Sequence, residues 1–216
     1  MCSRFISLVG LPEAYLDGDH SHCCCDPCFV SASNMTGAKI DPSSKGWCRF
    51  AVQAKRANVS NEGGNNEKWQ SAFHGTRAAV VRRILDQGHL LPPDLSIWQR
   101  SRAARSSKGH DGESEGCQLL FSPLLNLAST VTAAPPAEFM DPTSKKRLRG
   151  QIVLQILVQP GSYKVRRASS PLTGAASGAT STPQLLNAAP DDAIFWYTKE
   201  RGAAIVQALL VRIEDT

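Results

Sequence analysis

The run Gln151-Ile-Val-Leu-Gln-Ile-Leu-Val158 constrains the fold more than any other part of this chain. Aliphatic and β-branched side chains follow one another with only Gln155 between them, and Pro160-Gly161 ends the run. It is the strongest strand of the chain, and a strand needs partners. Six further segments offer them. Gly46–Gln53, Trp69–Phe73, Gln118–Ser122 (stopped by Pro123) and the short Tyr163–Val165 read as strands. Ala193–Thr198 and Ala204–Ile213 read as two more, joined by Lys199-Glu-Arg-Gly202 as a hairpin turn. One helix is expected over Arg77–Gln87, capped by Thr76 and closed by Gly88. There Val80 and Ile84, and Val81 and Leu85, recur at helical spacing, with Arg82, Arg83 and Asp86 turned to water. The fold class that follows is α+β: a mostly β core, one early helix and long loops at Ser96–Gly116 and Arg166–Asn187. Residues 1–66, poor in periodicity and rich in cysteine, read as an amino-terminal extension, and residues 67–216 as the main domain. With 42% hydrophobic residues the chain has the means to build a packed core.

Charge and cysteine use narrow the setting. The net charge of +5 suits an anionic ligand. The basic stretches Arg100–Lys108 and Lys145–Arg149 lack interleaved aromatics, so they read as solvated loops and not as nucleic-acid contacts. No apolar run approaches the roughly 18 residues that span a bilayer, so no membrane partner is expected. The first twelve residues break off too early for a signal peptide. Seven cysteines, clustered toward the amino terminus, fit a reducing compartment, and the cytoplasm is the expected location. The sequons at Asn34 and Asn58 then carry little weight.

Two constellations carry chemistry. Trp69-Gln-Ser-Ala-Phe-His74-Gly75-Thr76-Arg77 sets an imidazole at the mouth of a strand-to-helix corner, where pockets form. Taken alone, His74 reads more readily as a structural histidine capping a strand end. His20-Ser-His22-Cys23-Cys24-Cys25-Asp-Pro-Cys28 is dense in soft ligands. Cys23, Cys25 and Cys28 supply three thiolates for a tetrahedral zinc, with Cys48, His20 or His22 as the fourth ligand. Reduced unligated thiols and acylation of the cysteine triplet are the other readings.

The order of these pieces resembles a known family. A strand ending His74-Gly75-Thr76 is followed by Val80-Val-x-x-Ile-Leu-x-x-Gly88, by Phe121-Ser-Pro123, by an apolar strand, and by Phe195-Trp-Tyr-Thr-Lys-Glu-Arg-Gly202 with Leu209-Leu-Val-Arg212. This is similar to the ADP-ribosyltransferase domains of neuralized-like proteins, distant relatives of the poly(ADP-ribose) polymerase catalytic fold. The resemblance implies a split β-sheet core with an NAD pocket, and mono-ADP-ribosylation of a protein acceptor as the reaction. It implies that His74 bonds the adenosine ribose, that Gly75 and Thr76 serve the nicotinamide side, and that Arg77 neutralises the pyrophosphate. It also implies a catalytic glutamate before Trp-Tyr-Thr and a tyrosine stacked on nicotinamide. Phe195 and Leu127 stand at those positions. Phenylalanine cannot stabilise an oxocarbenium ion as a carboxylate does. A substitute would come from Asp191, Asp192 or Glu200, the last of which is most simply a solvated turn residue. The alternatives are a degenerate, silent version acting as a binding or scaffolding module, and a zinc-bearing adaptor in ubiquitin pathways.

Overall fold

A computed structural model describes residues 1–25, 28, 44–53, 69–88, 90, 118–167 and 193–216. The Ser96–Gly116 loop, most of the Arg166–Asn187 loop, the Arg100–Lys108 stretch, both sequons, Asp191, Asp192 and Cys117 lie outside these residues. The described chain is mixed α+β, with few helices and antiparallel strands in two sheets.

The run singled out above is the centre of the larger, six-stranded sheet. It lies in β6, Arg147–Val158. Along one side β6 pairs over its whole length with β9, Ala204–Asp215. Its other side is shared by β5 (Ala137–Met140) and β3 (Gln70–Thr76). Beyond β9 come β2, Cys48–Val52, and at the edge β1, Leu16–Cys23. Residues before 67 thus extend the same sheet. The unbroken apolar character of β6 and β9 has a simple cause. Successive side chains point to opposite faces, and both faces are covered. Ile152, Leu154, Ile156, Leu209 and Val211 enter the main core, while Val153 and Leu210 enter a second cluster on the other face with Trp47 and Leu125.

Two helices close the main core. In α1 (Cys2–Leu8), Phe5 and Ile6 are buried. In α2 (Ala78–Gln87), Val81 and Leu85 are buried while Arg82, Arg83 and Asp86 face water, as the periodicity predicts. Gly88 ends α2 at φ 75°, the left-handed geometry that lets its N–H bond the carbonyls of Ile84 and Leu85. The expected Thr76 cap does not form. Pairing with β6 continues through Thr76, opposite Ile152, so its side chain is held inward and Arg77 takes the cap position with no side-chain bond.

The smaller sheet holds three strands in the order β4 (Leu119–Phe121), β8 (Ile194–Thr198) and β7 (Lys164–Arg167). Leu119 and Phe121 reach the main core, where Phe121 packs edge-on against Trp196 and Tyr163 stacks on Trp196 at 4.4 Å. The segment Lys199–Gly202 is therefore not a hairpin turn. β8 pairs with β4 and β7, and β9 with β2 and β6, so this segment carries the chain from one sheet to the other. Lys145–Arg149 falls in a turn and the start of β6, where Arg149 lies 3.6 Å from Glu138 on an exposed face. No described helix is long and apolar enough to cross a membrane.

Candidate functional site

Among the described residues, one backbone bridge joins the two sheets. Phe73 and Ser122 exchange both backbone bonds, at 2.7 and 2.9 Å. Past that bridge β3 keeps its pairing with β6 while β4 stays with β8, and a gap opens between them. Over the gap lies a third, short helix, α3, Leu125–Ala128. The open cleft there measures about 280 Å³.

His74, Gly75, Arg77, Leu127 and Phe195 all line it. They come from β3, the cap of α2, α3 and β8, so residues separated by most of the main domain meet in one cleft. The Nδ1 of His74 lies 2.7 Å from the Leu120 carbonyl oxygen. A carbonyl only accepts, so Nδ1 carries the proton and Nε2 is left as an acceptor. Burial pushes the His74 pKa below its ordinary value, against the opposing pull of the Leu120 carbonyl, so the ring is neutral at pH 7.

Gly75 plays two parts. Backbone groups alternate in direction along a strand. Since Phe73 uses its N–H and C=O on the β4 side, those of Gly75 point to that same side, where β4 has diverged. A Cβ on Gly75 would also stand 2.3 Å from the Ala128 carbonyl oxygen and 2.8 Å from the Ala133 Cβ. The glycine is required by the chain that covers it. Arg77 is exposed at the mouth, and Thr76 is buried but does not line the cleft.

Leu127 and Phe195 pack together with Ala193 and Leu120. They form an apolar floor where the resemblance implies an aromatic stacker and a glutamate. Among the described residues, no carboxylate lines this cavity. Glu200 sits exposed in the segment between β8 and β9, its N–H donating to Thr198 Oγ1 at 3.1 Å. Ser122, which sequence reasoning cited only as part of Phe-Ser-Pro, is a structural hub. Its hydroxyl donates to the Ile194 carbonyl at 2.8 Å and accepts from the Leu124 N–H. The segment after α3 is held by Gln151, whose amide donates to the carbonyls of Ser129 and Ala134 at 2.7 and 2.6 Å.

At the far edge of the large sheet, the sulfurs of Cys23, Cys25 and Cys28 lie within 4.8 Å of one another. This group could hold a metal ion. The Cys25 N–H donates to the Cys23 sulfur at 3.3 Å, which shapes the turn. A hydrogen bond with Cys25, followed by the repulsion of its charge, raises the Cys28 pKa to about 11. Crowded thiols resist ionisation until a cation offsets the repulsion. Cys48 stands outside the three-sulfur group. Hydrogen bonding with Cys2 of α1, and then burial, push its pKa up, and Cys23 is its neighbour across the β1–β2 pair. His20 is tied to Asp17 at 2.8 Å, and His22 lines a different cavity.

No known family model matches the chain.

Proposed function

We propose that this chain is an ADP-ribosyltransferase-like domain that binds NAD in the His74 cleft without efficient transfer. The observation that carries the reading is the meeting of His74, Gly75, Arg77, Leu127 and Phe195 in one cavity. The donors suit such a ligand. His74 Nε2 accepts from a ribose hydroxyl, the Gly75 backbone offers a donor and an acceptor to a carboxamide, and Arg77 at the mouth meets phosphate. At about 280 Å³ the cleft suits one end of a dinucleotide better than the whole. Transfer is another matter. As nicotinamide departs, positive charge grows on the ribose, and Leu127 and Phe195 offer it no compensating charge.

Calorimetric titration with NAD up to millimolar concentration tests the binding. Saturable heat that falls at least about tenfold in affinity in His74→Ala supports the reading, since a lost hydrogen bond in a buried site is worth about that much. Absence of any heat or thermal shift rejects it. Transfer from labelled NAD onto protein is expected to be undetectable in the native chain and to appear in Phe195→Glu. Strong transfer by the native chain would contradict the silent reading.

We further propose that Cys23, Cys25 and Cys28 hold a structural zinc. The support is the mutual approach of three sulfurs at spacings suited to tetrahedral thiolate ligation. Purified protein is expected to carry close to one equivalent of zinc, with Cys25→Ser losing most of it. Metal-free protein of unchanged melting temperature would reject the proposal.

A further inference from the structure

A second, larger cavity of about 490 Å³ lies on the α3 side of the six-stranded sheet. One wall is apolar, made by Trp47, Phe73, Leu125 and Leu210. The opposite side is polar and built around one cation. Arg49 leaves β2 and spans β9 to reach β6, where its Nε donates to Gln155 Oε1 at 2.8 Å. Its Nη1 donates to the His20 carbonyl at 2.9 Å. The Gln155 amide in turn donates to Ser71 Oγ at 3.4 Å. Among the described residues, the guanidinium is thus held by neutral groups. Among the described residues, no carboxylate lies within ion-pair distance of it.

A half-buried arginine with no counter-charge among the described residues is costly, and an anionic ligand would supply the missing charge. Desolvation lowers the Arg49 pKa, yet a guanidinium remains charged at any physiological pH. His22 lines the same cavity and adds ring nitrogens able to donate or accept a hydrogen bond. Fixed positive charge on one side and an aromatic-aliphatic wall on the other define the complementary molecule.

We propose that this cavity binds a small anionic amphiphile, its carboxylate or phosphate on Arg49 and its apolar body against Trp47, Phe73, Leu125 and Leu210. The site is separate from the His74 cleft, although Phe73 lines both. It does not depend on the NAD reading.

Three probes of equal body separate the terms: 1-naphthyl phosphate, 1-naphthoate and neutral 1-naphthol, titrated calorimetrically into the full chain. At least one anion is expected to bind saturably and at least about tenfold more tightly than the alcohol, as a charge-assisted bond requires. Preference for the phosphate or for the carboxylate names the head group. Arg49→Leu should abolish the advantage of charge while leaving the melting temperature unchanged or higher. Should that variant fail to fold, Ser71→Trp, which adds bulk at an exposed position on the cavity wall, should block all three probes. Saturating NAD and His74→Ala should leave anion binding unchanged. The proposal is overturned if no probe binds, if the alcohol matches the anions, if the advantage survives Arg49→Leu, or if NAD competes. Competition would assign the probe to the other cleft and would leave the NAD reading intact.

Discussion

His74 gives one ring nitrogen to the fold and leaves the other, Nε2, as an acceptor. Its Nδ1 proton is engaged by the Leu120 carbonyl, and burial disfavours a second proton on Nε2. The folded pKa therefore lies below the ordinary 6.5, and stability must depend on pH. Above pH 6.5 the ring is neutral in both the folded and unfolded chains, and its contribution is constant. Below that value the unfolded chain takes up a proton that the folded chain refuses, so stability falls as the solution is acidified. The fall is at most about 1.4 kcal/mol per pH unit for one such histidine. His22 acts in the same sense, since burial lowers its pKa as well. Urea melts between pH 7.5 and 5.5 should show a smaller loss for His74→Gln than for the native chain. An identical loss would mean that the Nε2 proton is accommodated. The polar corner at His74-Gly75-Thr76 was legible in sequence because glycine and histidine interrupt an apolar pattern. Two features were not. Thr76 failed as a cap because cross-strand pairing outlasted it, and the need for Gly75 is set by Ala128 and Ala133, more than fifty residues further along the chain.

Elements were read best where both faces are buried. The two long strands around Val153 and Leu210, and α2 with its Val81–Leu85 stripe, declare themselves through continuous or periodic apolar residues. The edge strand β1, Leu-Asp-Gly-Asp-His-Ser-His-Cys, is exposed over most of its length and has no apolar alternation to betray it. Polar side chains are what protects an edge, so the feature that hides it also suits its place. Helix α1 escaped notice for another reason: its docking depends on a glycine far along the chain. The Phe5 ring lies over Gly150, where an added Cβ would come within 2.4 to 2.5 Å of ring carbons. Phe5 is only 1% exposed and also packs on Phe139 at 4.9 Å, so it has little room to yield. Gly150→Ala should therefore destabilise the protein by about 1–3 kcal/mol, the usual cost of overpacking. Phe5→Leu should recover part of that loss in a double-mutant cycle. A change under about 0.5 kcal/mol in urea denaturation would show that α1 does not rest there.

Sheet membership is the property least visible to local reading, because it is fixed by contacts between distant segments. Residues 193–213 look like a hairpin when only the intervening Lys-Glu-Arg-Gly is considered. The register instead binds β8 to β4 and β7, and sends β9 into the larger sheet. The His74 cleft lies beside the Phe73–Ser122 bridge, lined by residues of both sheets, so it exists only because β8 and β9 belong to different sheets. The crossing also ties their stabilities together. Phe121 and Trp196 belong to the smaller sheet, yet they pack within the same continuous core as Ile152, Leu154 and Leu209. The two sheets should consequently unfold as one. Phe121 is 2% exposed and meets both Tyr163 and Trp196 edge-on, so Phe121→Ala removes a shared wall. The expected loss is about 3–5 kcal/mol, felt equally by both sheets. Tryptophan fluorescence, to which Trp47 beside the larger sheet and Trp196 in the smaller one both contribute, and far-ultraviolet circular dichroism should then trace one denaturation curve, displaced to lower denaturant in the variant. If the variant gave two separated transitions, the smaller sheet would be an independent unit. The cleft between the sheets would then open without global unfolding.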